Sequence, residues 1–508
     1  MSFLEYNVIG IYALPYKLGS LHIRNWAPAL RVVLALPPEV HNLEIYKVTG
    51  MRAPPLGLAY IASVLEQADH KVKIVDSPTK RLALKDWLHE VKSFSPDIVG
   101  VSMMTPLAPK GYMAVRELKR ELPDVTAVAG GTHVTYMYDE ALDAGYDIVV
   151  RGEGELTMLE LVEALEKSPR DKEVLHNVRG LAFRDGKKTI VTPDRPMIED
   201  LDKLPWPDRD LLDMDKYTLF DKPIRIAHVM ASRGCPYGCI YCITSYYWGR
   251  RYRYRSPKNV ADEIEYLVHK YDARTIVFTD DEFTANWKFV RDFVGEIKSR
   301  GLDISFSCGA RVDHVNRDIM KLLYDNGCNA LYFGVESASQ DTLNRIGKRI
   351  TIEQAKRVFQ WKKELGGFAT GAFILGFPWE TVDDMKRTVE LAIGLQPDYA
   401  QFTALTPYPG TPLWDFANKH GLIVDRDWEH YTTVRPVIKG FHFTADQLGR
   451  MLVYAYRRFY LRWGFMAQEL RAHRFGDLVS VIGKEFLSAF GDALGRVFEP
   501  LRWGGEKD

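Results

Sequence analysis

The sequence predicts an α/β protein with an N-terminal doubly wound, Rossmann-like domain, a partial (β/α)6 barrel of the TIM type and a helical C-terminal tail. Three observations support this prediction. Short β-branched runs alternate with helical segments from residue 31 onward, a charged and proline-containing stretch interrupts them at 169–225, and six further strand–helix units follow. The length of 508 residues fits about three domains.

The first domain is predicted over residues 31–168, after an N-terminal extension over 1–30. Its strands are nearly continuous apolar runs separated by helical segments such as 57–68 and 108–122, a pattern typical of a parallel sheet covered on both faces. The predicted strands are RVVLALP (31–37), HKVKIVD (70–76), DIVGVS (97–102), VTAVAGG (125–131) and YDIVVRG (146–152). In such sheets, ligands bind in the crevice at the carboxyl ends of the strands.

The second domain is predicted over residues 226–435, after a linker over 169–225, and residues 436–508 are predicted to be helical. Six units of this length fit a partial barrel better than a closed eight-stranded one. The chemistry of such barrels gathers at the C-terminal ends of the strands. The predicted strands are IAHVMAS (226–232), ARTIVFTD (273–280), ISFSCG (304–309), ALYFGVES (330–337), GAFILGF (371–377) and YAQFTALT (399–406).

The overall charge argues against nucleic acid as a partner. Lysine plus arginine and aspartate plus glutamate both number 67, so the formal net charge is zero. The arginine–tyrosine stretch 249–255 is therefore expected to be a solvated loop or a contact to a cofactor phosphate.

The sequence predicts a cytoplasmic protein, because it has no basic signal-peptide region and no apolar run of about 18 residues. In residues 454–463, apolar side chains alternate with arginines. Core packing is the expected role of this stretch, and peripheral membrane contact through the C-terminal helices remains the alternative.

Three of the five cysteines, Cys235, Cys239 and Cys242, lie within eight residues directly after the first barrel strand. Three thiolates on one loop can bind three irons of a [4Fe–4S] cluster and leave the fourth iron open. Zinc is the alternative, but a closed structural zinc site needs four ligands, and Cys308 and Cys328 fall on later elements. A free cysteine is usually a small buried residue, although the position of Cys308 near a strand end keeps a role near the substrate open.

The CxxxCxΦC spacing, in which Φ is the aromatic Tyr241, resembles the signature of the radical SAM superfamily. The resemblance covers residues 226–410, because further family landmarks follow the ends of successive strands. It implies that the three cysteines bind the cluster, that the amino and carboxylate groups of S-adenosylmethionine chelate the open iron, and that Tyr241 lies beside the adenine. The other S-adenosylmethionine contacts that it implies are Asp281, Arg311, Glu336, Ser337 and Gly376.

Turns rich in glycine or hydroxyl groups follow the strands of the first domain. A doubly wound sheet with such turns could also be structural or bind a nucleotide. The set PPxGLxYIA, DIVGVS, GGxH and RGEGE is, however, similar to B12-binding domains fused to radical SAM barrels. This resemblance implies cobalamin, with contacts from Leu56, Gly57, Ser102, Gly130, Gly131, His133, Gly152 and Glu153. The Asp-x-His-x-x-Gly motif, which supplies a lower axial histidine in many B12 enzymes, is absent, so cobalt is expected to lack a histidine ligand.

The resemblance implies an enzyme that cleaves S-adenosylmethionine at the cluster to a 5′-deoxyadenosyl radical and methylates an unactivated carbon through methylcobalamin. It also implies an electron donor such as ferredoxin or flavodoxin. No acid–base pair can be assigned, and the substrate could be a lipid, a tetrapyrrole or a peptide. Two alternatives stay open: a B12-dependent cyclase or C–C bond-forming enzyme on a lipid or tetrapyrrole, and a non-catalytic protein that senses B12 or redox state.

Overall fold

The computed structural model describes residues 29–42, 52–169, 171–219, 222–223 and 226–465. It confirms the predicted α/β class, with one seven-stranded and one six-stranded sheet whose parallel strands are linked by helices. Residues 1–28, most of the predicted extension, and residues 466–508, the end of the predicted helical tail, lie outside the described residues.

The first sheet contains five parallel strands and two antiparallel ones. The parallel strands are β1 (Arg31–Ala35), β2 (Lys71–Val75), β3 (Ile98–Ser102), β4 (Thr126–Gly130) and β5 (Ile148–Val150). The antiparallel strands are β6 (Leu181–Asp185) and β7 (Lys188–Val191), and the order across the sheet is β2-β1-β3-β4-β5-β6-β7. This open, mainly parallel sheet is the doubly wound fold that the sequence predicts.

Helices cover both faces of the first sheet. They are α1 (Leu56–Gln67), α2 (Ser77–Lys80), α3 (Leu84–Lys92), α4 (Ala108–Glu121), α5 (Thr132–Tyr136), α6 (Tyr138–Ala144) and α7 (Glu155–Lys167). Alternate residues of β1 enter different cores: Val32 and Leu34 pack with α1 and α7, whereas Val33 and Ala35 pack with α3, α4 and α6. The two cores explain why the strands are apolar on both faces.

The segment 169–225, which we predicted to be a linker, contributes the β6–β7 hairpin to the first sheet. Strand β6 runs antiparallel to β5, and its residues Leu181, Ala182 and Phe183 are buried. The hairpin thereby covers the edge that β5 would otherwise expose. Its short apolar run lies between charged residues and prolines, which is why the sequence pattern did not indicate strands.

The second sheet is an open, all-parallel barrel segment. Its six strands are β10 (Ile226–Val229), β13 (Thr275–Phe278), β14 (Ser305–Ala310), β15 (Cys328–Glu336), β16 (Ala369–Leu375) and β17 (Tyr399–Ala404), in that spatial order. Two further sheets are small antiparallel ribbons, formed by β8 (Thr218–Leu219) with β9 (Lys222–Pro223) and by β11 (Ser232–Arg233) with β12 (Arg253–Tyr254). The predicted partial (β/α)6 barrel is therefore confirmed.

Helices pack on the outer face of the barrel sheet and leave its inner face open. The helices that follow the first domain are α8 (Ile243–Tyr247), α9 (Pro257–Tyr271), α10 (Trp287–Ser299), α11 (Arg317–Tyr324), α12 (Gln340–Arg345), α13 (Ile352–Leu365), α14 (Val382–Leu395), α15 (Pro412–Lys419) and α16 (Ala445–Tyr460). On β14 the outward residues Phe306 and Cys308 are buried in this layer, whereas the intervening Ser307 is partly exposed. Cys308 therefore lies away from the inner face of the barrel. This position does not support the role near the substrate that the sequence left possible.

Helix α16 protects the free edge of the barrel sheet. Tyr456 donates a hydrogen bond to the Phe402 carbonyl (3.1 Å) and Tyr460 donates one to the Ala400 carbonyl (2.8 Å). The same hydroxyls accept hydrogen bonds from the backbone N–H groups of Phe402 (3.3 Å) and Ala400 (3.1 Å). Two side chains thus satisfy the polar groups that β17 would otherwise present to another strand.

The start of the predicted helical tail packs as core. Leu448, Met451, Leu452 and Ala455 of α16 are buried in the barrel core. No helix among the described residues is long and apolar enough to cross a membrane. Leu461 and Trp463, which follow α16, are exposed, and residues 466–508, on which the alternative of peripheral membrane contact also depends, lie outside the described residues.

Candidate functional site

The loop with the three closely spaced cysteines connects β11 to α8, and backbone hydrogen bonds fix it at several points. Asp281 accepts a hydrogen bond from the Gly234 N–H (3.0 Å), and the Ile240 N–H donates to the Ile346 carbonyl (3.0 Å). Gly234 has φ +88°, and a Cβ there would lie 2.2 Å from the Arg251 carbonyl oxygen, so only glycine fits. Asp281, which we predicted to contact S-adenosylmethionine, therefore holds the start of this loop.

The thiols lie in a desolvated setting with cations nearby. Burial raises the pKa of Cys235 to about 11 and also raises that of Cys239; the charge of Arg311 opposes the shift at both thiols, and that of Lys348 opposes it at Cys239. Among the described residues, no three His, Cys, Asp or Glu side chains converge on a single metal ion. Three thiolates on one loop can each bind a different iron of a cubane cluster.

Glu336 ends β15 in a buried ion pair with Lys348. The Lys348 Nζ lies 2.6 Å from Glu336 Oε1, and both side chains are less than 10% exposed. Burial opposes the charge of Lys348, but the Glu336 carboxylate outweighs it and raises the lysine pKa. Burial also raises the pKa of Tyr241, and the neighbouring Glu336 carboxylate adds to this shift, so the structure brings two predicted site residues together.

The backbone around Glu336 is adapted to this pair. Glu336 has φ +70°, and the register of β15 against β16 shifts between Gly334 and Glu336. A Cβ on Gly334 would lie 2.4 Å from Glu336 Oε1 and 2.7 Å from Lys348 Nζ, so a larger residue there would displace the ion pair. The sequence did not predict Lys348 as a site residue. This lysine lies 12 residues beyond Glu336, and neither periodicity nor a motif connects the two positions.

Arg311 stabilises the cysteine loop from the side of β14. Its guanidinium lies 3.6 Å from the ring centroid of Tyr237, a loop residue, and forms an ion pair with Asp313 (2.9 Å). It also donates a hydrogen bond to the Lys348 carbonyl (2.6 Å). Arg311 therefore links the loop to the segment that contains Lys348, a role consistent with its predicted place in the site.

Ser337 and Gly376 connect the ends of β15 and β16. Ser337 donates a hydrogen bond to Glu380 Oε1 (2.9 Å), and the Phe377 N–H donates to Glu380 Oε2 (3.3 Å). Burial raises the pKa of Glu380 to about 7. Gly376 has φ +95°, and its missing Cβ makes room for Leu448 of α16. Both predicted residues thus shape the strand ends around the Glu336–Tyr241 contact.

The carboxyl edge of the first sheet forms an open cradle of glycines. No atom lies within 4 Å of the positions that a Cβ would take at Gly57, Gly130 and Gly152. Gly131 has φ +104°, and a Cβ there would lie 2.5 Å from the Met103 carbonyl oxygen, so glycine lets the ends of β3 and β4 approach each other. Leu56 and Ser102 are partly exposed at this edge. The backbone at this edge can therefore be approached closely by a ligand.

His133, predicted to contact the cofactor, is buried beside this cradle. Its Nδ1 lies 3.3 Å from the Thr105 hydroxyl, and its ring contacts Trp428 edge to face at a centroid distance of 4.9 Å. Its Nε2 lies 3.8 Å from the Glu140 carboxylate. The imidazole is thus buried among these side chains.

Glu153, which we also predicted to contact the cofactor, forms ion pairs across the interface between the two domains. Its carboxylate accepts hydrogen bonds from Arg233 (2.7 Å) and Arg253 (2.9 Å), and Arg233 also donates to Glu155 (2.6 Å). The Glu153, Arg233 and Arg253 side chains are at most 4% exposed. Because buried charges must be paired, these arginines fix Glu153 in the interface.

The arginine–tyrosine stretch 249–255 is therefore only partly the solvated loop or phosphate contact that we expected. Arg253 pairs with Glu153, and Arg255 pairs in the interior with Glu263. Residues 249–251 are exposed. The alternation of arginine and tyrosine in the sequence does not indicate which arginines form ion pairs with buried carboxylates.

The interface brings the cysteine loop and the glycine cradle together. Arg233 directly precedes Gly234 and Cys235, and Glu153 directly follows Gly152 of the cradle. Tyr247, in α8 just after the cysteine loop, donates a hydrogen bond to the Gly152 carbonyl (2.6 Å). The two candidate cofactor sites therefore face each other across a rigid, buried junction.

Comparison with protein families agrees with this geometry. Residues 229–392 match the model of the radical SAM superfamily, and residues 45–162 match that of the B12 binding domain.

Several relatives extend the match over most of the chain. An uncharacterized methyltransferase of Pyrococcus horikoshii is 40% identical over 87% of this chain and 95% of its own length. The anaerobic magnesium-protoporphyrin IX monomethyl ester cyclase of Rubrivivax gelatinosus is 33% identical over 87% of this chain and 81% of its own.

Two solved structures share the fold. The cobalamin-dependent S-adenosylmethionine radical enzyme OxsB has a TM-score of 0.68 at 16% identity, covering 84% of this chain and 68% of that one. The radical S-adenosylmethionine methyltransferase TsrM of Kitasatospora setae has a TM-score of 0.64 at 20% identity, covering 78% of this chain and 76% of that one.

The buried junction should be sensitive to the charge of Glu153. The substitution Glu153→Gln leaves the buried Arg253 guanidinium without its counter-charge and Arg233 with Glu155 as its remaining carboxylate partner, so we expect a loss of about 3–5 kcal/mol of stability. Urea denaturation should show this loss, and limited proteolysis should become faster within residues 169–225.

Glu160→Gln is the matched control. The Glu160 carboxylate is 47% exposed and pairs with Arg195, so this substitution should cost about 0–1 kcal/mol. Equal effects of the two substitutions would contradict a junction that depends on buried charge.

Proposed function

Because this chain belongs to the radical SAM enzymes with an N-terminal B12-binding domain, we propose that it is a cobalamin-dependent methyltransferase acting on an unactivated carbon. The observation that carries the proposal is the buried Glu153–Arg233 contact, which joins the cysteine loop to the glycine cradle. Methyl transfer needs a substrate position reached from both cofactors, and this contact fixes the two sites relative to each other. Similarity to a methyltransferase at 40% identity supports the same reaction.

The cofactors are a [4Fe–4S] cluster, S-adenosylmethionine and cobalamin, as in the family. When bound, they supply the reductive cleavage of S-adenosylmethionine and a carrier for the methyl group. We assign Cys235, Cys239 and Cys242 to the irons and the cradle glycines Gly57, Gly130 and Gly152 to cobalamin. Glu336 would hold S-adenosylmethionine, since a buried carboxylate can bind its amino group or ribose, and Tyr241 would lie beside the adenine.

The inner face of the barrel is the proposed substrate site. On this face the strands present small or hydroxyl-bearing residues such as Ser307, Gly309 and Thr403, which are partly exposed. Tyr332 donates a hydrogen bond to Gln401 across β16. The face therefore leaves room for a substrate.

A cyclase is the second candidate, because the R. gelatinosus relative named as a cyclase is 33% identical over most of this chain. The cofactor-loaded protein, given S-adenosylmethionine, dithionite and candidate lipids, peptides or tetrapyrroles under anaerobic conditions, distinguishes the two. A methyltransferase should form S-adenosylhomocysteine and 5′-deoxyadenosine in equal amounts. A cyclase should form 5′-deoxyadenosine without S-adenosylhomocysteine, and a non-catalytic sensor should form neither.

The cysteine loop should be needed for both iron binding and cleavage. Cys239→Ala removes one of the three thiolates, so we expect iron content well below the about four irons of a cube and no 5′-deoxyadenosine. Cys308→Ala is the control, because Cys308 lies in the outer core. It should keep the iron and the cleavage activity, and iron loss in both variants would refute the assignment to this loop.

Substitutions of Glu336 and Lys348 should separate an effect on the affinity for S-adenosylmethionine from an effect on the stability of the protein. Glu336→Gln removes a charged hydrogen-bond partner of S-adenosylmethionine worth about 1.5–3 kcal/mol, so its affinity should fall about tenfold to hundredfold in anaerobic calorimetry. The same variant should melt at a lower temperature because Lys348 loses its counter-charge. In Glu336→Gln with Lys348→Met, the melting temperature should recover and the affinity should stay low. Wild-type affinity in both variants would make the pair purely structural.

A further inference from the structure

Exposed arginines surround the solvent side of the cysteine loop. The guanidinium carbon of Arg250 lies 2.9 Å from the position of a Cβ on Gly238, so this side chain rests on the loop itself. Arg250 is exposed and has no ion-pair partner among the described residues. It also has φ +56°, a conformation in which glycine or asparagine would be less costly. The local backbone therefore does not explain an arginine at this turn.

A second segment, residues 345–349, brings two more arginines to the same place. A Cβ on Gly347 would lie 3.2 Å from the Gly238 carbonyl oxygen, so Gly347 packs against the turn that Arg250 covers. Arg345 and Arg349, two residues to either side, are both exposed. Arg345 forms a surface pair with Asp341 (2.8 Å), whereas Arg349, with φ +59°, has no ion-pair partner in the described part of the chain.

This basic patch, defined as Arg250, Arg345 and Arg349, is local. The whole chain has no net charge, so the patch does not reflect a generally basic protein. The loop reaches the surface beside it, since Pro236 is exposed and Gly238 is partly exposed. Cys239 Sγ lies 3.8 Å from the Gly347 carbonyl oxygen, so one of the proposed cluster thiolates lies directly beside the segment that contains Arg345 and Arg349.

We propose that the basic patch is the docking surface for a small acidic one-electron carrier protein of the ferredoxin type. Positive charge around the point of electron entry attracts a carrier with an acidic surface and orients it toward the cluster. Electron-transfer encounters bury little area, so three arginines are enough to direct them. In each encounter the reduced carrier loses one electron and the cluster gains it, with no proton or group transferred. The inference rests on the proposed function, because it needs a cluster in the loop.

The test uses the cofactor-loaded enzyme with Arg250→Glu and Arg349→Glu combined. Stopped-flow mixing with an acidic, reduced ferredoxin should show oxidation of the carrier about tenfold to hundredfold more slowly than with the wild type at low ionic strength. The wild-type rate should fall with added salt, and the variant's rate should depend on salt much less. Calorimetry with oxidised ferredoxin should show weaker binding to the variant. Cleavage of S-adenosylmethionine driven by dithionite, which needs no docking, should be unchanged.

The matched control combines Arg120→Glu with Lys298→Glu, which changes the net charge equally. Both residues are exposed in the last turns of α4 and α10, at the sheet edges opposite the cofactor sites. This control should react with ferredoxin as the wild type does. Equal slowing in both double variants, or no slowing in either, would overturn the docking surface, and so would a wild type that ferredoxin neither binds nor reduces. Absence of cleavage with dithionite would instead refute the proposed function, while the binding measurement would still test the patch.

Discussion

One buried carboxylate, that of Glu153, determines how the two domains of this enzyme face each other. It lies between Arg233 of the barrel ribbon and Arg253 of the adjacent strand, with all three side chains almost fully buried. Any shift of one domain would leave a desolvated charge unpaired, which costs several kcal/mol. The junction therefore permits one arrangement of the domains and makes hinge motion at this point expensive.

The Glu153–Arg233 contact also fixes the positions of both cofactor sites, because Glu153 and Arg233 are each adjacent in sequence to a glycine turn. Gly152 precedes Glu153, and Gly234 follows Arg233; both have positive φ and lie where the backbone bends sharply. Tyr247 closes the link through its hydrogen bond to the Gly152 carbonyl. The position of the cysteine loop is thus set by the first domain as much as by the barrel, which fits a reaction that uses two cofactors on one substrate.

Inside the barrel, polar groups at the strand ends pair with one another. Glu336 forms an ion pair with Lys348, and Ser337 donates a hydrogen bond to Glu380. These pairs hold buried polar side chains in fixed positions, as a preorganised site requires. In the proposed site, an ammonium group of S-adenosylmethionine would share the Glu336 carboxylate with Lys348.

The sequence by itself determined the two-domain α/β fold, the six barrel strands, the cysteine loop and the open glycines Gly57, Gly130 and Gly152, because periodicity, spacing and backbone freedom are local properties. Only the tertiary structure decided the partners of the charged groups. Glu153 meets Arg233 and Arg253 across 80 and 100 residues, and no local pattern distinguishes a carboxylate that binds a cofactor from one that binds a distant arginine. The same reason applies to Lys348, to the buried ring of His133 and to the β6–β7 hairpin. The role of each depends on contacts with residues that are distant in the sequence, which no local pattern reveals.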